Sequence, residues 1–585
     1  MKNNVFHIGI IGMGPKGFLG FERLLANLES ISKVKIEIHL FNLNRLFATG
    51  WIYDPQQPDY LKMNYPNIHI SLQPLTAPSP ILDFLSFSQW QAKQHGTNVE
   101  EENYKIASRA EVGAYFHHYF LRLMELAPKN ITIHTYKNRV ESIDKKGRNY
   151  LIYTSDTKFK SPYFYSLLIT TGHSTSILSK KNENSSNENF VPFIYPIQEQ
   201  LGSLPSNTII ACKGMGLTAI DSVLGLTEGR GGEFKLNAKK EWSYIKSGEE
   251  PLKIYPFSLS GIPIIPRNPN PIGSQKSFFF KRFIEDDTSK TKIFDFEKEL
   301  LPLIKQDILG EYYFQLFKNY DIFLNLNQQF DRVEEEIKEF HLLHASEKKF
   351  KAADLFYPYF NDKELNLELP RYWRMWLAEL KKNNSPLVAA ARTWKNMSAD
   401  FNKLYAADRL TPSSKSKFIK KYFSLFNRIS FGPPVINIKK MLAIGDLGLL
   451  DFSYAKNPTV INSNTSTLTL NQCTTLFDIL IDARIPRGYN KDCKVLFNEI
   501  NSKPIFNYDN AKLNFNHADT IMCNEQGNPL DEQGNPDTKI TLYGTPTEGF
   551  LFDNDTLSRK RNDTVSLWAK NAGELLKQQK DSYEK

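Results

Sequence analysis

Cysteine is scarce in this chain of 585 residues: Cys212, Cys473, Cys493 and Cys523 are all it has, and no C-x-x-C occurs. That spacing excludes a disulfide scaffold, a zinc ribbon and a dithiol redox pair. No apolar run is long enough to cross a bilayer, and an apolar strand that begins at Val5 leaves no room for a signal peptide. The expectation is a reduced, cytoplasmic protein without a membrane span. Basic residues outnumber acidic ones, 73 to 64, yet no Lys/Arg-rich run gathers the net charge of +9 into an arm or tail. A dispersed excess of this kind suits the approach of an anionic cofactor and argues against a nucleic-acid partner. No Ser-His-Asp or H-E-x-x-H arrangement is present. The His117-His118 pair has no third ligand at recognisable spacing, so it reads as solvent-facing and no metal site is expected.

What the chain does have is ordinary globular chemistry with many rings. Hydrophobic residues make up 41% and aromatic residues 13%, which argues against long disorder, and the length suits two or three domains. The organising stretch is Val5 to Leu28. Val5 to Ile11 is a charge-free β-rich run, Gly12-Met13-Gly14-Pro15-Lys16-Gly17 is a turn, and Phe18, Phe21, Leu25 and Leu28 follow at helical spacing. Strand, glycine turn and helix form the context in which G-x-G-x-x-G binds a dinucleotide. The first glycine makes the turn, the second admits the pyrophosphate, and the third lets helix and strand pack, with helix N–H groups facing the phosphates. Val34 to Phe41 alternates as the second strand. The position at its end, where an acid usually accepts from the adenosine ribose, holds Asn42.

Further on, a helix is expected around Arg109, Val112 and Tyr119, a hairpin over Val140 to Thr154, and a buried strand from Tyr163 to Ile169 that ends in Thr170-Thr171-Gly172. Asn182 to Asn189 reads as a polar loop. Thr208 to Leu226 repeats the strand–turn–helix pattern with Gly214-Met215-Gly216, Ala219 standing for the third glycine. Residues 270 to 440 change to helical periodicity with interleaved aromatics, which suits core packing rather than a nucleobase platform. NEQGNP and DEQGNP, at Asn524 and Asp531, read as a turn-rich hairpin. The expected fold class is α/β, with two Rossmann-like dinucleotide-binding units and an inserted, mainly helical domain. The boundaries are 1–175 for the first part of the flavin-type domain, 190–268 for the second nucleotide unit, 269–440 for a helical insert or cap, and 441–585 for the return to the first domain.

The motifs together resemble the FAD-NAD(P)-binding flavoprotein family, which carries an N-terminal GxGPxG, a later GxGL[ST]xxD and a late Gly-x-Pro-x-x-Gly. The matching positions are Gly12–Gly17, Gly214–Asp221, Phe431-Gly432-Pro433-Pro434 and Gly544-Thr545-Pro546-Thr547-Glu548-Gly549, in the expected order over nearly the whole chain. The family is similar in build to flavin-dependent N-hydroxylating monooxygenases, and one branch looks like enzymes that oxidise the amine of aspartate to nitrosuccinate. The motifs do not assign this chain to that branch. The resemblance implies that Gly12, Gly14 and Gly17, with Pro15 and Lys16 in the turn, bind the FAD pyrophosphate and that Asn42 meets the ribose. It puts Gly50, Asn64 and Gly172 near the flavin, with Gly544 and Gly549 closing that site. Gly214, Gly216, Leu217 and Thr218 receive NADPH or NADH. An arginine that often follows the second unit is missing from Ser258-Leu259-Ser260-Gly261, which leaves Lys253 or Arg267 to clamp a 2′-phosphate, NADH as the cofactor, or a second site without a nucleotide.

The function this implies is an FAD-dependent NAD(P)H oxidoreductase, a monooxygenase acting on a small molecule such as an amine or amino acid. Two rivals stand beside it: a flavin oxidase or dehydrogenase without oxygen transfer, and a non-catalytic FAD- or nucleotide-binding sensor or scaffold. Arg109, Arg371 and Arg428 are candidates to hold a carboxylate or phosphate, against structural ion pairing. Catalytic residues, substrate and oligomeric state are not legible.

Overall fold

Continuous apolar runs form strands that are buried on both faces of a parallel sheet, and the first unit of this protein is built on two of them. The computed structural model describes residues 5–173, 189–485 and 523–583, apart from 33, 44–45, 239–240, 268–277, 288–290, 463–464, 531–532, 549–550, 552–553, 555 and 560–561. The chain divides into a unit of Met1–Asp59, Pro66–Asn184 and Pro486–Lys585, and a unit of Tyr60–Tyr65 with Ser185–Ile485.

In the first unit β1 (Phe6–Ile11) leads through the glycine turn into α1 (Pro15–Leu28), then β2 (Ile36–Phe41). The strands β3 (Ile131–Tyr136), β4 (Val140–Lys146), β5 (Asn149–Thr154) and β6 (Phe164–Ile169) follow. The seven-stranded sheet has the order β3-β2-β1-β6-β5-β4, and a late strand, Ile540–Leu542, also pairs with β6. β1 is parallel to both β2 and β6, so the chain order reverses at β1. That reversal opens a crevice at the carboxyl ends of β1 and β6.

Ile8, Ile10, Ile38 and Leu40 are fully buried, as the apolar pattern requires. α1 packs its rings against the helix Arg109–Glu125, with Phe18 edge-on to Phe116 at 5.7 Å and Phe21 beside Phe120 at 5.8 Å. Ser108 and Glu111 form a capping box that starts that helix. Within it His117 Nδ1 lies 3.0 Å from the Phe47 carbonyl, and His118 is exposed. The C-terminal helix, Thr564–Tyr583, joins the unit through a buried bond from Trp568 Nε1 to Ser166 Oγ at 3.0 Å. Beneath α1, Glu22 accepts from Arg23 and from Arg559 in a buried charge cluster.

The second unit holds β7 (Phe190–Val191), β8 (Ile209–Lys213), the hairpin of β9 (Glu233–Leu236) and β10 (Trp242–Ile245), and β11 (Lys253–Phe257). β12 (Thr459–Ile461), β13 (Thr467–Leu470) and β14 (Cys473–Leu476) form a three-stranded antiparallel sheet. β15 (Ile479–Asp482) completes a four-stranded parallel sheet in the order β11-β8-β15-β7, and Ile540–Leu542 in the first unit is β16. The expected return to the first domain at residue 441 is therefore corrected: β15 pairs with β8, and the chain leaves the second unit after Ile485. Residues 279–446 are mainly helical, and they share this unit with the sheet rather than standing as a unit of their own. Their aromatics are core. Trp394 stacks on Phe426 at 4.1 Å, and Phe296, Phe401 and Phe418 crowd around them, all buried.

Candidate functional site

The glycine turn after β1 is a place where side chains do not fit. Gly12 has φ +94°, and a Cβ there would lie 2.5 Å from the Thr170 carbonyl oxygen. At Gly17 a Cβ would lie 2.1 Å from the Gly12 oxygen. Gly14 differs, since a Cβ there would meet only Gly50, at 3.8 Å, so the protein itself does not demand a glycine at that point. Gly14 is the N-cap of α1, Pro15 occupies the first turn, no side chain caps the helix and no acid stands in its first turn. A helix end of this kind attracts anions through its N–H groups and dipole.

The neighbouring loops close on this turn. Asn42, at the end of β2, accepts from the Met13 N–H at 3.3 Å and donates to the Leu46 carbonyl at 2.9 Å. The Ala48 N–H bonds the Met13 oxygen at 2.6 Å, with Ala48 at φ +73° and Gly50 at φ +65°. Thr170 Oγ1 reaches the Ile11 and Gly12 carbonyls, and the φ of Gly172 is +76°, with open space where a Cβ would stand. From the other end of the chain, Gly544 (φ +82°) starts the short 3-10 turn Thr545–Thr547, and a Cβ on it would lie 3.1 Å from Lys16 Cγ. Lys16 Nζ donates to the Tyr543 hydroxyl at 3.2 Å and lies 4.4 Å from that ring's centre. Gly12, Gly14, Pro15, Lys16, Gly17, Asn42, Gly50, Gly172 and Gly544 thus gather where β1, β2, β6 and β16 end. Gly549 lies outside the described residues. Ala48 and Thr170, which complete the corner, carry only weak signals in the sequence.

Asn64 belongs to the second unit, where its side chain donates to the Phe431 carbonyl at 3.3 Å and its own carbonyl accepts from Arg267 at 3.0 Å. In that unit Gly214 follows β8 at φ +144°, and a Cβ would meet the Ala483 oxygen at 2.8 Å. Gly216 is the uncapped N-cap of the helix Leu217–Leu226, with open space around its Cα. Thr218 is buried in the first turn, and Asp221 accepts from Tyr195 at 2.5 Å. Lys253 is the first residue of β11 and pairs with Ile209, at the opposite end of the strand from Gly214, where it bonds Asp451 at 3.4 Å. It cannot reach a nucleotide at the glycine turn. Arg428 donates to the Leu355 and Phe356 carbonyls, both at 2.9 Å, a structural role. Arg109 is buried at the start of its helix and Arg371 is exposed. Burial pushes the Cys212 thiol up to about 12, which leaves it inert at neutral pH.

Residues 9–174 match the sequence model of an FAD-NAD(P)-binding family. A nitrosuccinic acid synthase of Aspergillus oryzae is 23% identical over 484 residues, which cover 76% of this chain and 72% of that protein. Among solved structures, the reduced form of an ornithine hydroxylase from Pseudomonas aeruginosa superposes with a TM-score of 0.49 at 10% identity, over 98% of each chain. An oxidised steroid monooxygenase bound to NADP gives 0.41 at 10% identity, over 98% of this chain and 84% of that one. Superpositions this loose decide nothing about chemistry. The family match runs from Gly9 in β1 through the glycine turn, α1 and β2 to beyond β6. Over residues 9–174 this chain is similar to the FAD-NAD(P)-binding family.

Proposed function

We propose that this protein is an FAD-dependent NAD(P)H oxidoreductase, a monooxygenase whose substrate is a small molecule bearing an amine. The observation that carries the reading is the corner at the ends of β1, β2, β6 and β16, where Gly14 is free of steric demand from the protein and an uncapped helix end faces it. A glycine that the fold does not need, beside two that it does, is what close approach of a pyrophosphate requires. Bound FAD accepts hydride from a nicotinamide and, in monooxygenases, activates oxygen; that chemistry belongs to the cofactor.

The chain's own residues bind and orient. The backbone of Gly12 to Gly17 holds the pyrophosphate, and α1 stabilises its charge. Asn42 offers the ribose an amide without charge. The turn at Gly544, fixed by Lys16 and Tyr543, closes the site from the C-terminal side. In the second unit Gly214, Gly216, Leu217 and Thr218 receive the nicotinamide nucleotide by the same logic. A relative named nitrosuccinic acid synthase, with the motif resemblance to enzymes that oxidise the amine of aspartate, supports an amine or amino acid as substrate class.

The test is consumption of NADPH and NADH by the FAD-loaded protein with a panel of amino acids, aspartate and ornithine among them, with products assayed under labelled oxygen. Label in the product supports the reading. Stoichiometric peroxide with every substrate replaces it with an oxidase. Retained FAD with no coenzyme consumption replaces it with a sensor or scaffold.

A further inference from the structure

The parallel pairing of β1, β2 and β3 brings four ionisable side chains to one face of the sheet, away from the nucleotide corner. His7 pairs with Glu37 across β1 and β2, and His39 pairs with His134 across β2 and β3. His7 Nδ1 lies 3.0 Å from His39 Nε2 and 3.5 Å from Glu37 Oε2, and His39 Nε2 lies 3.8 Å from the same oxygen. A tetrahedral ion with ligands at about 2.0–2.1 Å has ligand–ligand edges of roughly 3.3–3.4 Å. The three observed edges bracket that value.

We infer that His7 Nδ1, His39 Nε2 and Glu37 Oε2 form a binding site for one divalent first-row transition ion, of which Zn2+ is the representative. Two imidazoles and one carboxylate suit such an ion and disfavour Ca2+ or Mg2+, which take oxygen. Outer partners orient the ligands as metal sites require: the Tyr136 hydroxyl lies 3.0 Å from the other nitrogen of His39, and His134 Nε2 lies 3.0 Å from Glu37 Oε2. Glu37 is 31% and His134 36% exposed, which gives an ion a path in. His7 stands five residues before Gly12, roughly 16 Å along the strand at about 3.3 Å per residue, so the ion is too far off to touch the bound nucleotide. It ties β1 to β2. The expectation of no metal site rested on spacing along the chain, and here the ligands meet through strand pairing.

The experiment uses the full chain freed of metal by chelation, titrated with Zn2+ by calorimetry and with Co2+ by visible absorption. The expected result is one equivalent of Zn2+ and a tetrahedral Co2+ spectrum. His7→Gln and Glu37→Gln should each weaken Zn2+ binding by at least about 10-fold, and Tyr136→Phe by up to about 10-fold. Should a variant fail to fold, the Co2+ spectrum of the unaltered protein still decides. No Co2+ bands, or the same Zn2+ affinity in both ligand variants, would overturn the site and leave a hydrogen-bonded cluster only.

Discussion

At the scale of single residues the glycine turn separates two kinds of requirement. Gly17→Ala drives a methyl against the Gly12 carbonyl, and we expect it to cost about 1–3 kcal/mol of stability as well as flavin retention. Gly14→Ala meets only Gly50 at van der Waals distance. It should leave the melting temperature nearly unchanged while weakening FAD binding about 10-fold or more, read by flavin fluorescence titration. Asn42 shows where sequence reasoning stops. Its position at the end of β2 was readable from alternation and spacing, but the bonds it makes to Met13 and Leu46 were not, since they depend on how the loop 46–50 folds back. Asn42→Asp, which restores the usual acid, sets a carboxylate against the Leu46 carbonyl. Despite the added charge, we expect FAD affinity to fall and the protein to lose about 1–2 kcal/mol, visible in the same titration and in denaturant unfolding.

At the scale of elements the strand–turn–helix units were legible because their apolar periods and glycines are local signals. The helix Pro386–Ala406, which Ser385 caps and Pro386 starts, lies in the stretch 270–440 whose helical periodicity was legible, and Val388, Ala391, Trp394, Met397, Phe401 and Leu404 form its buried stripe. Buried ionisable groups on helices were beyond the sequence altogether. Glu22 on α1 accepts from Arg23 and Arg559, all three buried. Glu22→Ala leaves the buried Arg23 guanidinium without its carboxylate and Arg559 with only Asp563, at 3.5 Å, and should cost about 3–5 kcal/mol in unfolding free energy. On the helix Leu301–Lys318, burial and then the nearby Asp307 push Glu311 up to about 8, and its Oε1 has no hydrogen-bond partner. A carboxyl whose pKa is higher folded than unfolded binds more protons in the native state, so it lowers stability as pH rises from about 4.5 to about 8. Glu311→Gln should remove that slope. Its advantage in thermal unfolding should be absent near pH 4 and on the order of 5 kcal/mol above pH 8.

At the scale of the whole molecule, two glycine turns separated by about 200 residues fall in two different units. The division of the later chain was not legible. β15 and the segment before it carry short strand patterns that fit either sheet, and only pairing with β8 assigns them to the second unit. The late Gly-x-Pro turn illustrates the converse, for Gly544 meets Lys16 across more than 500 residues of chain. The expectation that this turn serves the first nucleotide site rested on resemblance, and contact order this high leaves no local trace.

The central claim is that this protein is an FAD-dependent oxidoreductase that uses NADPH or NADH. The measurement that tests it most directly is the absorption spectrum of the purified, FAD-loaded protein, followed without oxygen as NADPH and then NADH is added. Bleaching of the oxidised flavin by either coenzyme is the predicted result, and the better reductant names the coenzyme. A protein that takes up no FAD, or holds FAD that neither coenzyme reduces even with an amine substrate present, would contradict it.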